Sequence, residues 1–277
     1  MRAAFFDLDK TVIAKGSIPA FGRPLRRGGL VNRRAVLRAL IGQLIYLHLG
    51  ADEVRLARIR ESMLALTRGW QRDRVREIVR ETLLETVEPL IYNEALELME
   101  AHHAAGDRVY LVSASPEEIV VPLAELLGAE GAIASVGEID DEGRYTGKMA
   151  FYASGEGKAQ AIRALAARTD LELAGSTAYS DSATDLPMLE SVGHPVAVNP
   201  DRGLAKVARE RGWEIRQFTK PVRLRNRMGV RTPVLTTGLA LAAGAVALWW
   251  RSRRQRAAEA VAMGGWLRRG ARTRHAV

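Results

Sequence analysis

The chain contains no cysteine, which excludes disulfide staples, thiolate metal sites and a cysteine nucleophile together. Acidic residues are almost missing from its C-terminal end. From Lys220 to Val277 a single acid, Glu259, stands against 13 Lys and Arg. Residues 1–219 hold the other 28 basic and 31 acidic residues, so the net charge of +9 belongs to the tail. A slightly acidic body argues against a nucleic-acid groove in the folded part. Lysine is scarce too, with six against 35 arginines, a usage that suits a GC-rich bacterial genome. The N-terminus, Met1 to Asp7, carries Arg2 within a short apolar stretch and has no cleavage site, so a signal peptide is not expected and the body should stay in the cytoplasm. Apolar residues at 47% and charged residues at 26% exclude wholesale disorder. At 277 residues the chain is long enough for a core domain with an inserted cap.

One long apolar run is present. Between Arg231 and Arg251 lie 19 residues without formal charge, and Pro233 to Trp250 is mostly apolar. As a helix it would rise about 27 Å, close to the thickness of a hydrocarbon core. Trp249 and Trp250 stand at one end, where aromatic rings favour the interface. Lys220, Arg223, Arg225, Arg227 and Arg231 flank it on one side, and Arg251, Arg253, Arg254 and Arg256 on the other. The pattern predicts a basic linker from residue 219, a membrane-anchor helix over about 233–250 and a basic tail to 277. The expected location is a bacterial plasma membrane with the catalytic body on the cytoplasmic side. Ala240 and Gly244, four apart, would let two such helices pack as a homodimer. A spanning helix would export an arginine-rich tail against the positive-inside tendency, whereas a re-entrant one would not; a buried soluble helix is the third arrangement.

The body alternates β and α. Ala3 to Leu8, Val109 to Val112, Ser176 to Ser180 and Pro195 to Val198 are short apolar runs of the kind buried in parallel sheets. Helical patterns over Asn93 to Ala105, Glu117 to Leu127, Lys158 to Ala167 and Ala183 to Ser191 separate them, and Glu138 to Met149 reads as a hairpin around Asp140-Asp141-Glu142-Gly143. The expectation is an α/β, Rossmann-like parallel sheet with active residues at the carboxyl ends of strands. Residues 14–92 interrupt it with helix (Arg33 to Leu49, Asp52 to Leu66, Arg72 to Thr86). This divides the body into a core of 1–13 and 93–218 and a helical cap of 14–92. His102 and His103 lack a ligand partner four residues on and read as surface residues.

Four pieces carry chemistry. Asp7-Leu8-Asp9-Lys10-Thr11 closes the first strand, where two carboxylates can turn into one cleft; their repulsion is offset if one meets a cation and the other holds a proton. Ser113 ends the second strand, and Ser115-Pro116-Glu117-Glu118 has capping-box spacing, with Pro116 suited to the first helical position. A hydroxyl with free N–H groups at a helix start makes an anion site. Lys158, after Gly155-Glu156-Gly157, opens a helix and offers a fixed positive charge. Asp181 and Asp185, four apart after the third strand, would share one helical face.

Together these pieces resemble the haloacid dehalogenase (HAD) superfamily of phosphatases, in particular subfamily IB, whose helical cap lies between the first two motifs and which includes phosphoserine phosphatase. The resemblance spans residues 3–218. It implies Asp7 as nucleophile, forming an aspartyl-phosphate, and Asp9 as general acid and base. It implies Mg²⁺ held by Asp7, the Asp9 main-chain carbonyl and Asp181, with Asp185 orienting that shell or Lys158. Thr11, Ser113, Ala114, Ser115 and Lys158 would bind the phosphoryl group and stabilise its charge.

The sequence also departs from that pattern. Ala114 and Ser115 stand where glycines are usual, Thr184 where asparagine is common, and Gly16 where a substrate-reading glutamate is usual. The carboxylate that would meet an amino group is therefore missing. A small phosphorylated metabolite resembling phosphoserine is the expected substrate. The alternatives are a lipid phosphate such as lysophosphatidate or phosphatidylglycerol phosphate, met by a basic apolar surface around Arg33, Arg34 and Arg38, and a non-catalytic, membrane-tethered module. Arg58, Arg60 and Arg68 are candidate substrate-reading residues of the cap.

Overall fold

Ala3–Asp7 forms strand β1, buried along its whole length because helices cover both faces of the sheet that contains it. Ala4 and Phe6 pack into one apolar layer, and Ala3 and Phe5 into the other, as the two-residue period of a strand requires. Phe6 stacks on Tyr179 at 4.3 Å and Phe5 on Tyr110 at 5.7 Å, tying β1 to both neighbouring strands.

The computed structural model describes residues 1–30 and 64–219. The helix expected over Arg33 to Leu49, most of that over Asp52 to Leu66, the surface around Arg33, Arg34 and Arg38, the candidates Arg58 and Arg60, and the anchor helix at 233–250 lie outside these residues. Among the described residues no helix is long and apolar enough to cross a membrane. The chain divides into two units, Met1–Leu224 and Arg225–Val277, and every described residue belongs to the first.

After β1 come α1 (Ser17–Arg27), α2 (Arg72–Val87), α3 (Asn93–Ala104), β2 (Arg108–Pro116), α4 (Glu117–Leu126), β3 (Gly131–Ile139) and β4 (Tyr145–Phe151). The chain continues through α5 (Glu156–Thr169), β5 (Thr177–Ser180), α6 (Leu186–Glu190), β6 (His194–Val198), α7 (Arg202–Arg211) and β7 (Glu214–Arg216). The sheet order is β4-β3-β2-β1-β5-β6-β7, parallel throughout except for β4, which runs antiparallel to β3. From β1 the chain first builds outward through β2 and β3, then returns to the opposite side through β5 and β6. That reversal makes the carboxyl end of β1 the topological switch point, the place where open α/β sheets take ligands.

The inserted segment is stitched at its base. Ile13 bridges Ile91, Ala14 N–H donates to the Leu90 carbonyl at 2.7 Å, and Tyr92 N–H to that of Val12 at 2.9 Å. At its far side the segment meets the β3–β4 hairpin: Gly69 N–H donates to the Tyr145 carbonyl and Tyr145 N–H to that of Trp70.

Three local expectations are corrected. The capping box is absent: Pro116 is the N-cap of α4, with no side-chain cap, because the Ser115 hydroxyl is engaged by distant partners. Asp181 and Asp185 do not share a helical face, since a 3₁₀ turn at Ala183–Asp185 precedes α6 and Pro187 sits in the first turn of that helix. His102 is not a surface residue. It lies largely buried between Asp107 (Nδ1 to Oδ2, 2.9 Å) and the Tyr179 hydroxyl (Nε2 to Oη, 2.8 Å).

Candidate active site

Asp7 is the last residue of β1, paired across the ladder with Val112 of β2. Beyond it the chain folds back at once: Val12 and Ile13 N–H groups both donate to the Leu8 carbonyl at 3.0 Å. Within this turn Lys10 adopts φ +62°, a left-handed conformation that costs a side-chain-bearing residue roughly 1–2 kcal/mol. Its Nζ lies 3.8 Å from Asp181 Oδ2.

Lys158 reaches the same point from α5. It is 3% exposed and donates to Asp7 Oδ1 and to Asp185 Oδ2, both at 2.6 Å. The Ser180 hydroxyl, at the end of β5, donates to the same Asp185 oxygen at 2.7 Å. Gly157 permits this approach, because a Cβ there would stand 2.3 Å from the Tyr152 carbonyl oxygen. An ordinary solvated lysine is thereby excluded.

Asp9 has separate partners. Its Oδ1 accepts the Ser17 N–H at 2.7 Å and its Oδ2 the Ser115 hydroxyl at 3.3 Å. The Ser115 N–H, expected to face a phosphate, donates instead to Ser113 Oγ at 3.1 Å. Ser113 Oγ thus acts as an acceptor there, and its own proton is directed elsewhere. The Ala114 carbonyl accepts from Ser135 Oγ at 2.8 Å. Thr11 Oγ1 is fully buried and has no hydrogen-bond partner among the described residues. Arg68 donates through Nε to the Thr146 carbonyl at 3.0 Å, which ties it to the hairpin.

Burial pushes the Asp7 carboxyl up to about 8; Lys158 opposes this, while Asp185 and Asp181 add to it. Asp181 is raised to about 6, chiefly by burial, with Lys10 opposing and Asp185 and Asp201 adding. Burial alone would lower Lys158, but Asp7 and Asp185 outweigh it and hold the ammonium charged. Two buried carboxylates that resist ionisation even beside Lys158 and Lys10 fit a hard divalent cation, which takes oxygen ligands and would relieve both. Among the described residues no three acidic or histidine side chains gather as a metal cage. Carboxylate oxygens completed by waters suit Mg²⁺, which keeps part of its water shell.

Two residues that shape the site escaped the sequence reading. Asp201 caps α7 through the Leu204 N–H at 2.8 Å, binds Ala183 N–H at 3.0 Å, and donates its own N–H to the Asp181 carbonyl at 2.7 Å, so it fixes the Asp181 loop. An acid three residues before Leu204 at a helix start was its available signal. Ser17 had none, since its partners are distant in sequence.

A mostly parallel α/β sheet with buried acids and a lysine at its switch point has the layout of an α/β hydrolytic enzyme. The chain belongs to the haloacid dehalogenase-like hydrolases, whose family model matches residues 4–190, and it is a phosphoric monoester hydrolase of that family. It is 51% identical over 250 residues to a Mycobacterium tuberculosis protein bearing the name "probable phosphatase", covering 88% of this chain and 87% of that one. It is 39% identical over 255 residues to a phosphoserine phosphatase of the same organism, covering 91% of this chain and 81% of the relative. A solved Bordetella pertussis protein of unknown function superposes with a TM-score of 0.68 at 31% identity, over 78% of this chain and 97% of that one.

Proposed function

We propose that the enzyme hydrolyses a small phosphorylated metabolite, phosphoserine-like, through an aspartyl-phosphate on Asp7. One observation carries this reading: at the carboxyl end of β1 a buried Asp7 is bonded to a buried lysine, while a second carboxylate two residues on is held by other donors.

An Asp7 oxygen attacks phosphorus as the bond from phosphorus to the ester oxygen breaks. Asp9 delivers its proton to the departing alkoxide. Water then attacks the phosphorus of the acyl phosphate while Asp9 takes the water proton, so that inorganic phosphate leaves and the Asp7 carboxylate is restored. Lys158, Ser113, Thr11 and the main chain at Ala114 bind the phosphoryl oxygens and stabilise the charge that spreads over them, while the Ser115 N–H, held by Ser113 Oγ, braces that loop. Asp185, with Ser180, keeps Lys158 aimed at Asp7. The residues that would hold Mg²⁺ are Asp7, Asp9 through its carbonyl, and Asp181. When bound, the ion would neutralise charge between the carboxylates and a phosphate dianion.

Phosphoserine is favoured as the model substrate by the name of the relative that shares 39% identity. The membrane tether and a lipid-phosphate substrate stand on the sequence of residues 219–277 and of the cap. A non-catalytic module is not retained, because the nucleophile, the acid, the lysine and the metal-binding acids are all present.

The expected result is Mg²⁺-dependent phosphate release from 4-nitrophenyl phosphate, reduced at least about 1,000-fold in Asp7→Asn, as loss of a covalent nucleophile requires. Equal activity in the variant would remove Asp7 from the mechanism. Phosphoserine should then be hydrolysed faster than short-chain lysophosphatidate, and the opposite order would favour the lipid reading.

A further inference from the structure

We propose that Ser17, the first residue of α1, and the Ser115 hydroxyl form a positioning device for Asp9, so that the inserted segment sets the aim of the general acid. The proposal rests on the phosphatase reading above.

The geometry is a short relay between elements far apart in the chain. Ser17 Oγ and Ser115 Oγ are 2.5 Å apart, both residues are 1% exposed, and 98 positions separate them in sequence. A hydroxyl carries one proton. Ser115 donates its proton to Asp9 Oδ2, so the proton between the two serines comes from Ser17. The Ser17 N–H holds the other carboxylate oxygen at 2.7 Å. A carboxylate otherwise turns broadly about its last torsion, and two donors on two different oxygens fix its plane. Each oxygen keeps a lone-pair site with which to carry the transferred proton. Ser115 stands where the resemblance leads one to expect glycine, which could not supply this hydroxyl.

Proline at 17 removes both the N–H and the hydroxyl, and its Cδ takes the place of the hydrogen that met Asp9 Oδ1, so it breaks the device and turns the carboxylate away while the local backbone conformation is kept. Gly16 already has φ −60° and ψ 135°, the extended conformation that precedes proline, and position 17 opens a helix. Threonine at 17 retains both groups.

The test compares kcat/KM for phenyl phosphate, whose leaving group needs a proton, with that for 4-nitrophenyl phosphate, whose leaving group needs far less. The holoenzyme with Mg²⁺ is used throughout. With general acid catalysis contributing roughly 10²–10⁴-fold, Ser17→Pro should lower the phenyl-to-nitrophenyl ratio by about fivefold or more, in the direction of Asp9→Asn, and Ser17→Thr should restore it to within about twofold. A purely structural lesion lowers both rates by the same factor and leaves the ratio unmoved, and that result overturns the proposal. If Asp9→Asn shifts the ratio and Ser17→Pro does not, this inference alone falls. If the wild-type chain and Asp7→Asn act equally, the phosphatase reading falls with it.

Discussion

Asp7 and Asp181 release their protons later than ordinary carboxylates because burial withholds the solvent that would stabilise their charge. Both groups are raised from an ordinary 3.8, to about 8 and about 6 respectively. The metal-free folded protein therefore binds more protons than the unfolded chain between these values. Their contribution to stability is fully present below 3.8 and is lost as pH rises through about 6 and then about 8. A divalent cation binds the ionised forms, so protons compete with it. Mg²⁺ should bind at least about tenfold more weakly at pH 5 than at pH 7, with proton release: a group titrating near 6 supplies about that factor and Asp7, still protonated in this range, steepens it. Calorimetry in buffers of different ionisation enthalpy measures both quantities, and an affinity flat across that range would remove these acids from the metal site. At this scale placement was legible in sequence for Asp7, the last residue of β1, and for Asp181, directly after β5, whereas Ser113, expected to end its strand, lies within β2, which runs on to Pro116. What could not be read was the use of each hydrogen bond. Ser115 looked like a helix cap and His102 like a surface residue, and each is claimed by partners dozens of positions away.

Between elements, the first turn of α4 carries two acids, Glu117 and Glu118, directly after the Ser113–Ser115 segment proposed to bind phosphate. Unpaired, they would repel an anionic substrate. Arg72, opening α2 in the inserted segment, pairs with Glu117 and, through Nε at 3.3 Å, with the buried Glu118, while its N–H donates to the Gly143 carbonyl of the hairpin at 3.0 Å. Arg76 adds a longer pair to Glu117 at 3.7 Å. One arginine thus clasps the insertion, the hairpin and α4. Arg72→Met should lower stability by about 2 kcal/mol, since it strands a buried carboxylate. Adding Glu118→Gln should recover part of that loss in a double-mutant cycle. Additive effects measured by denaturant unfolding would show that the pair carries no coupling. The sheet itself was readable because β1, β2, β5 and β6 are apolar runs. The first half of β3 was not, as Gly131, Ala132 and Ala134 lack the β-branched residues that mark a strand, nor was β7, whose three residues Glu-Ile-Arg give no pattern.

Across the whole molecule, charge and chemistry are segregated. Each residue assigned to the reaction lies before residue 186, whereas 13 of the 41 basic residues follow Thr219. On the reaction proposed above, the body is expected to act without the tail. Two physical contributions are available for holding it at a bilayer. Basic clusters attract anionic lipid at about 1 kcal/mol per residue near the surface, and salt screens them within a Debye length. The uncharged stretch between Arg231 and Arg251 would add apolar burial, which salt does not screen. The two are separable. The full chain should sediment with bacterial membranes and stay there through a wash at about 1 M NaCl, where the Debye length is ~3 Å. The chain lacking residues 225–277 should remain in the supernatant and hydrolyse 4-nitrophenyl phosphate at a rate within about twofold of the full chain, because its reaction centre is intact. Release by salt alone would reduce the tail to an electrostatic contact, and recovery of the full chain in the supernatant at low salt would remove the tether altogether.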